Sequence, residues 1–184
     1  MMNLPNALAI FRIFLSFFFF FVLVNLGNLC PEIHQTWINY FAMLLFVVAS
    51  ITDFFDGYIA RSWNQITKFG AIIDPLADKM LTMAGFIGLL YIGRANPWAI
   101  YLILVREFFI TGFRVIMVSD NVNVSAGMAG KVKTVFQMLT IVFLIMQWWG
   151  GEILLWISVF LTLYSGLLYI IGYVKEMKSR QNVE

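Results

Sequence analysis

The stretch Ser50–Met80, SITDFFDGYIARSWNQITKFGAIIDPLADKM, concentrates several charges inside an otherwise apolar chain. It contains four aspartates, namely Asp53, Asp56, Asp74 and Asp78. Ionisable side chains within a membrane span are costly and usually have a function. The stretch therefore raises two questions: what solvent surrounds it, and what the carboxylates bind.

The composition answers the first question. The chain has 184 residues, of which 61% are hydrophobic and 12% are charged. A soluble domain is about half apolar and about a quarter charged. The excess of apolar residues predicts an integral membrane protein, and a net charge of only +2 argues against a nucleic-acid partner. The single cysteine, Cys30, excludes an intrachain disulfide, and the single histidine, His34, is predicted to lie on the surface.

Six apolar segments are close to the roughly 20 residues that a spanning helix needs. We predict an all-α membrane bundle of six transmembrane helices in one domain, 1–184, with residues 1–7 forming a short N-terminal surface helix. The first segment lacks a small-residue cleavage pattern, so we expect it to be retained. The predicted spans are Leu8–Leu26, Trp37–Ile59, Leu76–Ile92, Trp98–Val118, Val132–Trp149 and Ile153–Val174.

Lysine and arginine are distributed unevenly between the two sets of loops, which predicts the orientation. Cytoplasmic loops carry an excess of these residues. The loops of the opposite set hold Arg94 as their only basic residue, together with Glu32 and Glu152. The bias predicts that both termini and the charged stretch lie on the cytoplasmic side, where the basic residues are Arg61, Lys68, Lys131, Lys133, Lys175, Lys178 and Arg180.

The spacing of the aspartates addresses the second question. Asp53 and Asp56 are separated by three positions and Asp74 and Asp78 by four, so each pair lies on one helical face. Four buried carboxylates need a counter-charge, and oxygen ligands suit Mg²⁺, Mn²⁺ or Ca²⁺. Two such ions about 4 Å apart form the arrangement used for displacement at phosphorus.

Each of these residues also has a purely structural interpretation. Asp74 precedes Pro75 and is a candidate helix N-cap. Asp78 and Lys79 are consistent with a solvated first turn, and Asp53 and Asp56 are consistent with ion pairs to Arg61 and Lys68. For the four aspartates as a group the structural interpretation is weaker, because it leaves four acids inside the membrane without a function.

Two residues beside the aspartates complete the candidate site. Gly57 removes a side chain where a bulky ligand can approach, or alternatively where two helices cross closely. Arg61 lies one turn further and suits a phosphate oxygen, or alternatively anchors the helix at the membrane surface.

A second charged group follows in the fourth and fifth predicted spans, and most of it is basic. Glu107 lies within this group. Basic residues near four acids in a membrane segment indicate an anionic partner. The basic residues are Arg106, Arg114, Lys131 and Lys133.

The pattern Asp53-x2-Asp56-Gly57-x2-Ala60-Arg61-x8-Gly70-x3-Asp74-x3-Asp78 resembles the signature of the CDP-alcohol phosphatidyltransferase family at every fixed position. The six-span layout is also similar. Within the family, the chain most resembles the branch that uses glycerol 3-phosphate, in the segments LPNALAIFR (4–12), PLADKM (75–80), REFFITGFR (106–114) and AGKVKT (129–134). One departure is Ala9, where that branch commonly has threonine.

The resemblance implies a role for each site residue. Asp53, Asp56, Asp74 and Asp78 hold two Mg²⁺ or Mn²⁺ ions, and Asp78 is also the general base. Asp53, Gly57 and Arg61 bind CDP-diacylglycerol. The phosphate of the acceptor is held by Arg106, Arg114, Lys131 and Lys133. The resemblance also implies a homodimer in a bacterial cell membrane.

Three other activities are compatible with parts of the pattern. A sister enzyme uses another acceptor, such as inositol phosphate, serine or phosphatidylglycerol, and the shared motif does not distinguish it. A transporter with an aspartate relay is disfavoured because the acids cluster at one side of the predicted membrane. An intramembrane prenyltransferase has a different aspartate spacing.

Overall fold

The computed structural model describes residues 4–62, 68–119 and 127–181, with side chains placed at 7–52, 76–77, 79–114, 117 and 127–178. Within these ranges all regular structure is helical and no strand occurs, which confirms the all-α prediction. The helices are α1 (Leu4–Leu29), α2 (Gln35–Ser62), α3 (Lys68–Tyr91), α4 (Pro97–Ser119), α5 (Met128–Met146) and α6 (Gly151–Gln181).

Four of the helices in the described ranges are long and apolar enough to cross a membrane, namely α1, α2, α5 and α6. Helix α3 contributes a shorter apolar stretch, Lys79–Tyr91, and α4 is interrupted by Arg106, Glu107 and Arg114. Six spans therefore remain a prediction. Helix α1 runs without a break from Leu4, so the surface placement of residues 1–7 also remains a prediction.

Helix starts follow local capping rules. The backbone N–H of Thr36 donates to His34 Nδ1 over 3.3 Å, so the exposed histidine caps the start of α2. At the start of α4, Asn96 Oδ1 accepts from the Trp98 N–H over 3.0 Å, with Pro97 at the first helical position. The sequence encodes both boundaries in one or two residues.

The described residues separate into two compact units, and the first comprises Met1–Arg94 with Ile141–Trp149. Here α1 packs on α2 and α3, and α2 packs on α3. Two glycines of α3 allow close contact: a Cβ at Gly88 would lie 2.7 Å from Leu23, and one at Gly85 would lie 3.0 Å from Ile141. Small residues at helix crossings are typical of membrane bundles.

Helices α3 and α5 end in the same way within this unit. The Arg94 N–H donates to Leu89 O at the end of α3, and the Trp148 N–H donates to Phe143 O at the end of α5. These are the long bonds of a Schellman motif, which needs a left-handed residue after the helix. Gly93 fills that position with φ of 71°, whereas Gln147 adopts φ of 55° despite its side chain.

The Arg94 side chain bonds to the end of α5, and we call this group the Arg94 cap. Nη1 donates to Ile145 O over 2.7 Å and to Asn39 Oδ1 over 2.9 Å. With its amide oxygen turned toward Arg94, Gln147 accepts from Nε over 2.9 Å and from Nη2 over 3.2 Å. These acceptors are neutral oxygens. Desolvation by partial burial lowers the pKa of the Arg94 guanidinium, and the hydrogen bonds offset that cost.

The second unit comprises Ala95–Thr140 with Gly150–Glu184. Helix α4 packs on α6. Helix α5 meets α6 through two buried hydrogen bonds, Gln137 Nε2 to Thr162 Oγ1 over 3.0 Å and Thr140 Oγ1 with Ser158 Oγ over 2.8 Å. We call these two pairs the α5–α6 polar ladder. Their order along the two helices shows that α5 and α6 run antiparallel.

Candidate active site

The aspartate pattern lies on two helices that pack against each other. Asp53 and Asp56 lie on α2, and Asp74 and Asp78 lie on α3. Gly57 and Arg61 also lie on α2. The side chains of these six positions fall outside the described part of the structure. Their roles as metal ligands, general base and CDP-diacylglycerol contacts therefore remain predictions.

The structure overturns one alternative interpretation of Asp74. As an N-cap it would stand just before the first turn of a helix. Helix α3 begins at Lys68, so Asp74 and Pro75 lie inside the helix rather than at its start. Asp78 likewise lies well beyond the first turn. The N-cap interpretation of Asp74 is therefore wrong.

A cluster of three charged side chains lies in the second unit, and we call it the Glu107 cluster. Glu107 Oε1 accepts from Arg106 Nη1 over 3.2 Å and from Lys133 Nζ. The side chains of Arg106 and Glu107 are 12% exposed, and that of Lys133 is 10% exposed. The structure thus brings together two of the four predicted acceptor-binding residues, with a carboxylate between them.

Arg106 also connects α4 to α6. Its Nη2 donates to Ser165 Oγ over 2.8 Å, and Ser165 Oγ in turn donates to Thr162 O over 3.1 Å. A Cβ added at Gly166 would lie 3.0 Å from Arg106 Nε, so the glycine makes room for the arginine. That Nε is buried and has no hydrogen-bond partner among the described residues.

The other two predicted acceptor-binding residues lie at exposed positions. The Arg114 guanidinium carbon lies 5.3 Å from the centroid of the Tyr169 ring, a cation–π contact between α4 and α6. The neighbouring Phe113 packs edge-on against Tyr173 of α6. Lys131 is exposed near the start of α5. Tyr169 thus provides an aromatic contact that orients Arg114.

Two residues of this group, Glu107 and Ser165, have no role predicted from the sequence, although Glu107 is visible there as an acid within the group. A signal for Glu107 was present, since an acid inside an apolar helix needs a partner and Arg106 precedes it. No signal identified Ser165, because serine is tolerated at many helix contacts.

The N-terminal segment that departs from the family pattern is tightly packed. Ala9 and Arg12, one turn apart on α1, are both fully buried. Because Ala9 is enclosed, a larger threonine at this position would require its neighbours to shift.

The fold and the charged groups together define a helical protein with membrane-type helices and ionic sites within them. A family model of CDP-alcohol phosphatidyltransferase matches residues 2–164. The chain belongs to this family.

Relatives from several bacteria cover nearly the whole chain. A protein of Rickettsia felis is 40% identical over 176 residues, which is 91% of this chain and 93% of the relative. A protein of Bacillus subtilis is 35% identical and covers 92% and 94%, and one of Escherichia coli K12 is 35% identical and covers 91% and 93%. All three are named CDP-diacylglycerol–glycerol-3-phosphate 3-phosphatidyltransferase.

Proposed function

We propose that this chain transfers the phosphatidyl group from CDP-diacylglycerol to sn-glycerol 3-phosphate. The products are phosphatidylglycerophosphate and CMP, and the reaction belongs to phospholipid biosynthesis. The main support for this proposal is the shared name of relatives that are 35–40% identical to this chain, over more than nine-tenths of this chain and of each relative. The position of the aspartate pattern on two packed helices supports the same activity.

The proposed setting is the bacterial cell membrane, with six spans and with both termini and the active site on the cytoplasmic side. The apolar helices support insertion, and the lysine and arginine distribution supports the orientation. One substrate is soluble only in lipid and the other only in water, so a site near the membrane surface serves both. A homodimer is the assembly that the family resemblance implies.

Two Mg²⁺ or Mn²⁺ ions are the proposed cofactor. The donor set fits them, because four carboxylates on α2 and α3 offer only oxygen and the two helices pack together. Asp53, Asp56, Asp74 and Asp78 would hold the ions. When bound, such ions would supply positive charge that stabilises the CMP leaving group as the pyrophosphate linkage breaks.

The remaining steps fall to side chains of the chain itself. Gly57 leaves space for the CDP group, and Arg61 binds its phosphates. Asp78 removes the proton from the 1-hydroxyl of glycerol 3-phosphate, whose oxygen then attacks the phosphorus that carries the lipid. The bond from that phosphorus to CMP breaks, and CMP leaves. The acceptor phosphate is held by the basic residues of α4 and α5, namely Arg106, Arg114, Lys131 and Lys133.

The direct test is CMP release by the purified protein with CDP-diacylglycerol and a panel of acceptors. Glycerol 3-phosphate should support release, whereas serine, inositol phosphate and phosphatidylglycerol should not. Chelator should abolish the activity, and Mg²⁺ or Mn²⁺ should restore it. Turnover with another acceptor alone would refute the proposed acceptor, and full activity in excess chelator would refute the metal assignment.

The role of Asp78 is tested with a neighbouring control. Asp78→Asn keeps an oxygen that can bind a cation but cannot accept the acceptor proton, so turnover should fall about 100-fold or more. Binding of CDP-diacylglycerol in the presence of Mg²⁺ should persist. Lys79→Gln, about 100° around the same helix, should retain activity. Near-normal CMP release from Asp78→Asn would exclude it as the base.

A further inference from the structure

The inference starts from one face of α6, which contacts both arginines of α4 that are predicted to bind the acceptor phosphate. Ser165 and Tyr169 lie four positions apart on α6 and therefore share this face. Ser165 Oγ accepts from Arg106 Nη2 over 2.8 Å. The Tyr169 ring centroid lies 5.3 Å from the guanidinium carbon of Arg114. Helix α6 thus contributes one contact to each arginine.

The contact between Tyr169 and Arg114 differs in kind from a hydrogen bond or an ion pair. A cation–π attraction acts on the whole cation and involves no oxygen acceptor. Among the described residues, Arg114 has no hydrogen-bond or ion-pair partner. The five N–H donors of a guanidinium form a rigid fork that matches the oxygens of a phosphate. The ring therefore restricts the position of Arg114 and leaves its donors for an anion.

The burial of the two side chains indicates which one fixes the other. Arg114 is exposed, whereas Tyr169 is half-buried. A tyrosine has only two side-chain torsions and is cheap to order, whereas a free arginine loses much side-chain freedom when it binds a ligand. An arginine that is already held in place loses less freedom on binding, which increases affinity. Tyr169 is thus suited to act as the fixed support of Arg114.

We propose that Tyr169 is a positioning residue, whose ring holds the Arg114 guanidinium where it binds the phosphate of glycerol 3-phosphate. The inference rests on the proposed function, which places Arg114 among the residues that hold the acceptor phosphate. It adds a residue of α6 to a group of side chains that the sequence predicts only on α4 and α5.

The competing explanation is that the Tyr169 ring only packs α4 against α6. Phe113 provides the comparison, because it precedes Arg114 on α4 and packs against Tyr173 of α6, with ring centroids 5.1 Å apart. This second contact joins the same two helices without a charged group. If Tyr169 only joins helices, its loss should resemble the loss of Phe113. If it acts through Arg114, its loss should change acceptor binding selectively.

The experiment is steady-state kinetics for both substrates on the purified full chain. Tyr169→Leu should raise KM for glycerol 3-phosphate about two- to fivefold, as expected for the loss of an exposed cation–π contact. Its kcat and its KM for CDP-diacylglycerol should change little. Tyr169→Phe keeps the ring and should remain near the wild type. If Tyr169→Phe raises KM as much as Tyr169→Leu, the hydroxyl group matters rather than the ring, and the inference is wrong.

A double-mutant cycle with Arg114→Ala tests whether Tyr169 acts through Arg114. Once Arg114 is removed, Tyr169→Leu should have no further effect on KM for glycerol 3-phosphate, because the positioned group is already absent. An equal factor for Tyr169→Leu with and without Arg114 would overturn the inference. A fall in kcat with unchanged KM in Tyr169→Leu would also overturn it, since that pattern indicates a role in the chemical step.

A series of fluorinated rings keeps the test valid even if Tyr169→Leu does not fold. Tyr169→Phe is prepared with increasing numbers of fluorine atoms on the ring, which withdraw electron density from its face and change its size little. Because the attraction for a cation depends on that electron density, KM for glycerol 3-phosphate should rise stepwise along the series. The rise should be absent in an Arg114→Ala background. A KM that stays constant along the series would contradict the inference.

Phe113→Leu is the matched control for packing between α4 and α6. It should lower the melting temperature without a selective change in KM for glycerol 3-phosphate. If Phe113→Leu raises this KM as much as Tyr169→Leu, the aromatic side chains only join the helices and the inference is wrong.

The same measurements distinguish this inference from the proposed function. A wild type that does not use glycerol 3-phosphate refutes the proposed function and the inference with it. If the wild type uses glycerol 3-phosphate but Tyr169→Leu has a normal KM, the inference alone is refuted.

Discussion

Arg94 and Arg106 are both partly buried arginines, but their donors go to different kinds of acceptor. In the Arg94 cap the partners are Ile145 O, Asn39 and Gln147, all neutral. In the Glu107 cluster, Arg106 shares a carboxylate oxygen with a second cation, Lys133. The first arginine ties helix ends together, whereas the second belongs to a charged group.

We propose that the difference separates an arginine that serves the fold from one that serves a ligand. A cation at the carboxyl end of a helix is stabilised by the exposed carbonyls and the helix dipole, so Arg94 needs no anion. In the Glu107 cluster two cations that the sequence predicts to bind the acceptor phosphate meet at one carboxylate oxygen. The predictions below test this division.

The largest expected effect separates the two groups by kinetics. Lys133→Ala and Arg114→Ala should each raise KM for glycerol 3-phosphate by roughly 10- to 100-fold, the value of a charge-assisted phosphate contact. Arg94→Ala should leave that KM near the wild-type value. The measurement is CMP release at varied concentrations of each substrate.

Two outcomes would contradict this division between a structural Arg94 cap and a ligand-binding Glu107 cluster. If Arg94→Ala raises KM for glycerol 3-phosphate as strongly as Lys133→Ala, the Arg94 cap is not a purely structural group. If Lys133→Ala and Arg114→Ala change only the binding of CDP-diacylglycerol, the acceptor assignment is wrong.

The second prediction concerns stability. Arg94→Ala leaves several acceptors without a donor, so the free energy of unfolding should fall by about 2 kcal/mol. Arg94→Lys should lose less, because an ammonium can still donate to Ile145 O but not along all the directions of a guanidinium. Thermal unfolding in one detergent measures both, with Lys178→Ala at an exposed position as the control. Equal melting temperatures for Arg94→Ala and the control would contradict the capping role.

The smallest expected effect concerns Gln147, which holds a left-handed backbone and accepts from Arg94. Gln147→Ala removes the acceptor and keeps the backbone strain. Gln147→Gly also removes the acceptor but relieves the strain, which for a residue with a Cβ is about 1 kcal/mol. The glycine variant should therefore be the more stable of the two. A less stable glycine variant would show that the strain at this turn is not significant.

The sequence predicted the helical elements well because their signals are local. Apolar run lengths located the helices, and the Asn96–Pro97 pair marks the start of α4 as capping rules expect. The start of α3 was misplaced by eight residues, from Leu76 to Lys68, because an apolar run underestimates a helix whose first turns are polar.

The residues that contact each other in the Glu107 cluster and in the Arg94 cap were harder to predict from the sequence. The Lys133–Glu107 and Arg106–Ser165 contacts join residues 26 and 59 positions apart, and no local pattern specifies which helices meet. The same holds for Arg94, which reaches Asn39 and Ile145 across 55 and 51 positions. The aspartate pattern was recognisable because two short helical spacings carry it.

The α5–α6 polar ladder has a consequence for assembly in the membrane. Lipid offers no hydrogen bonds, so a polar side chain that loses its partner there is strongly disfavoured. Sliding α5 along α6 by one helical turn, about 5.4 Å, would separate Gln137 from Thr162 and Thr140 from Ser158. Apolar packing alone discriminates weakly between such registers in lipid. The two pairs therefore favour the observed register of α5 against α6 over shifts that leave either polar side chain without a partner.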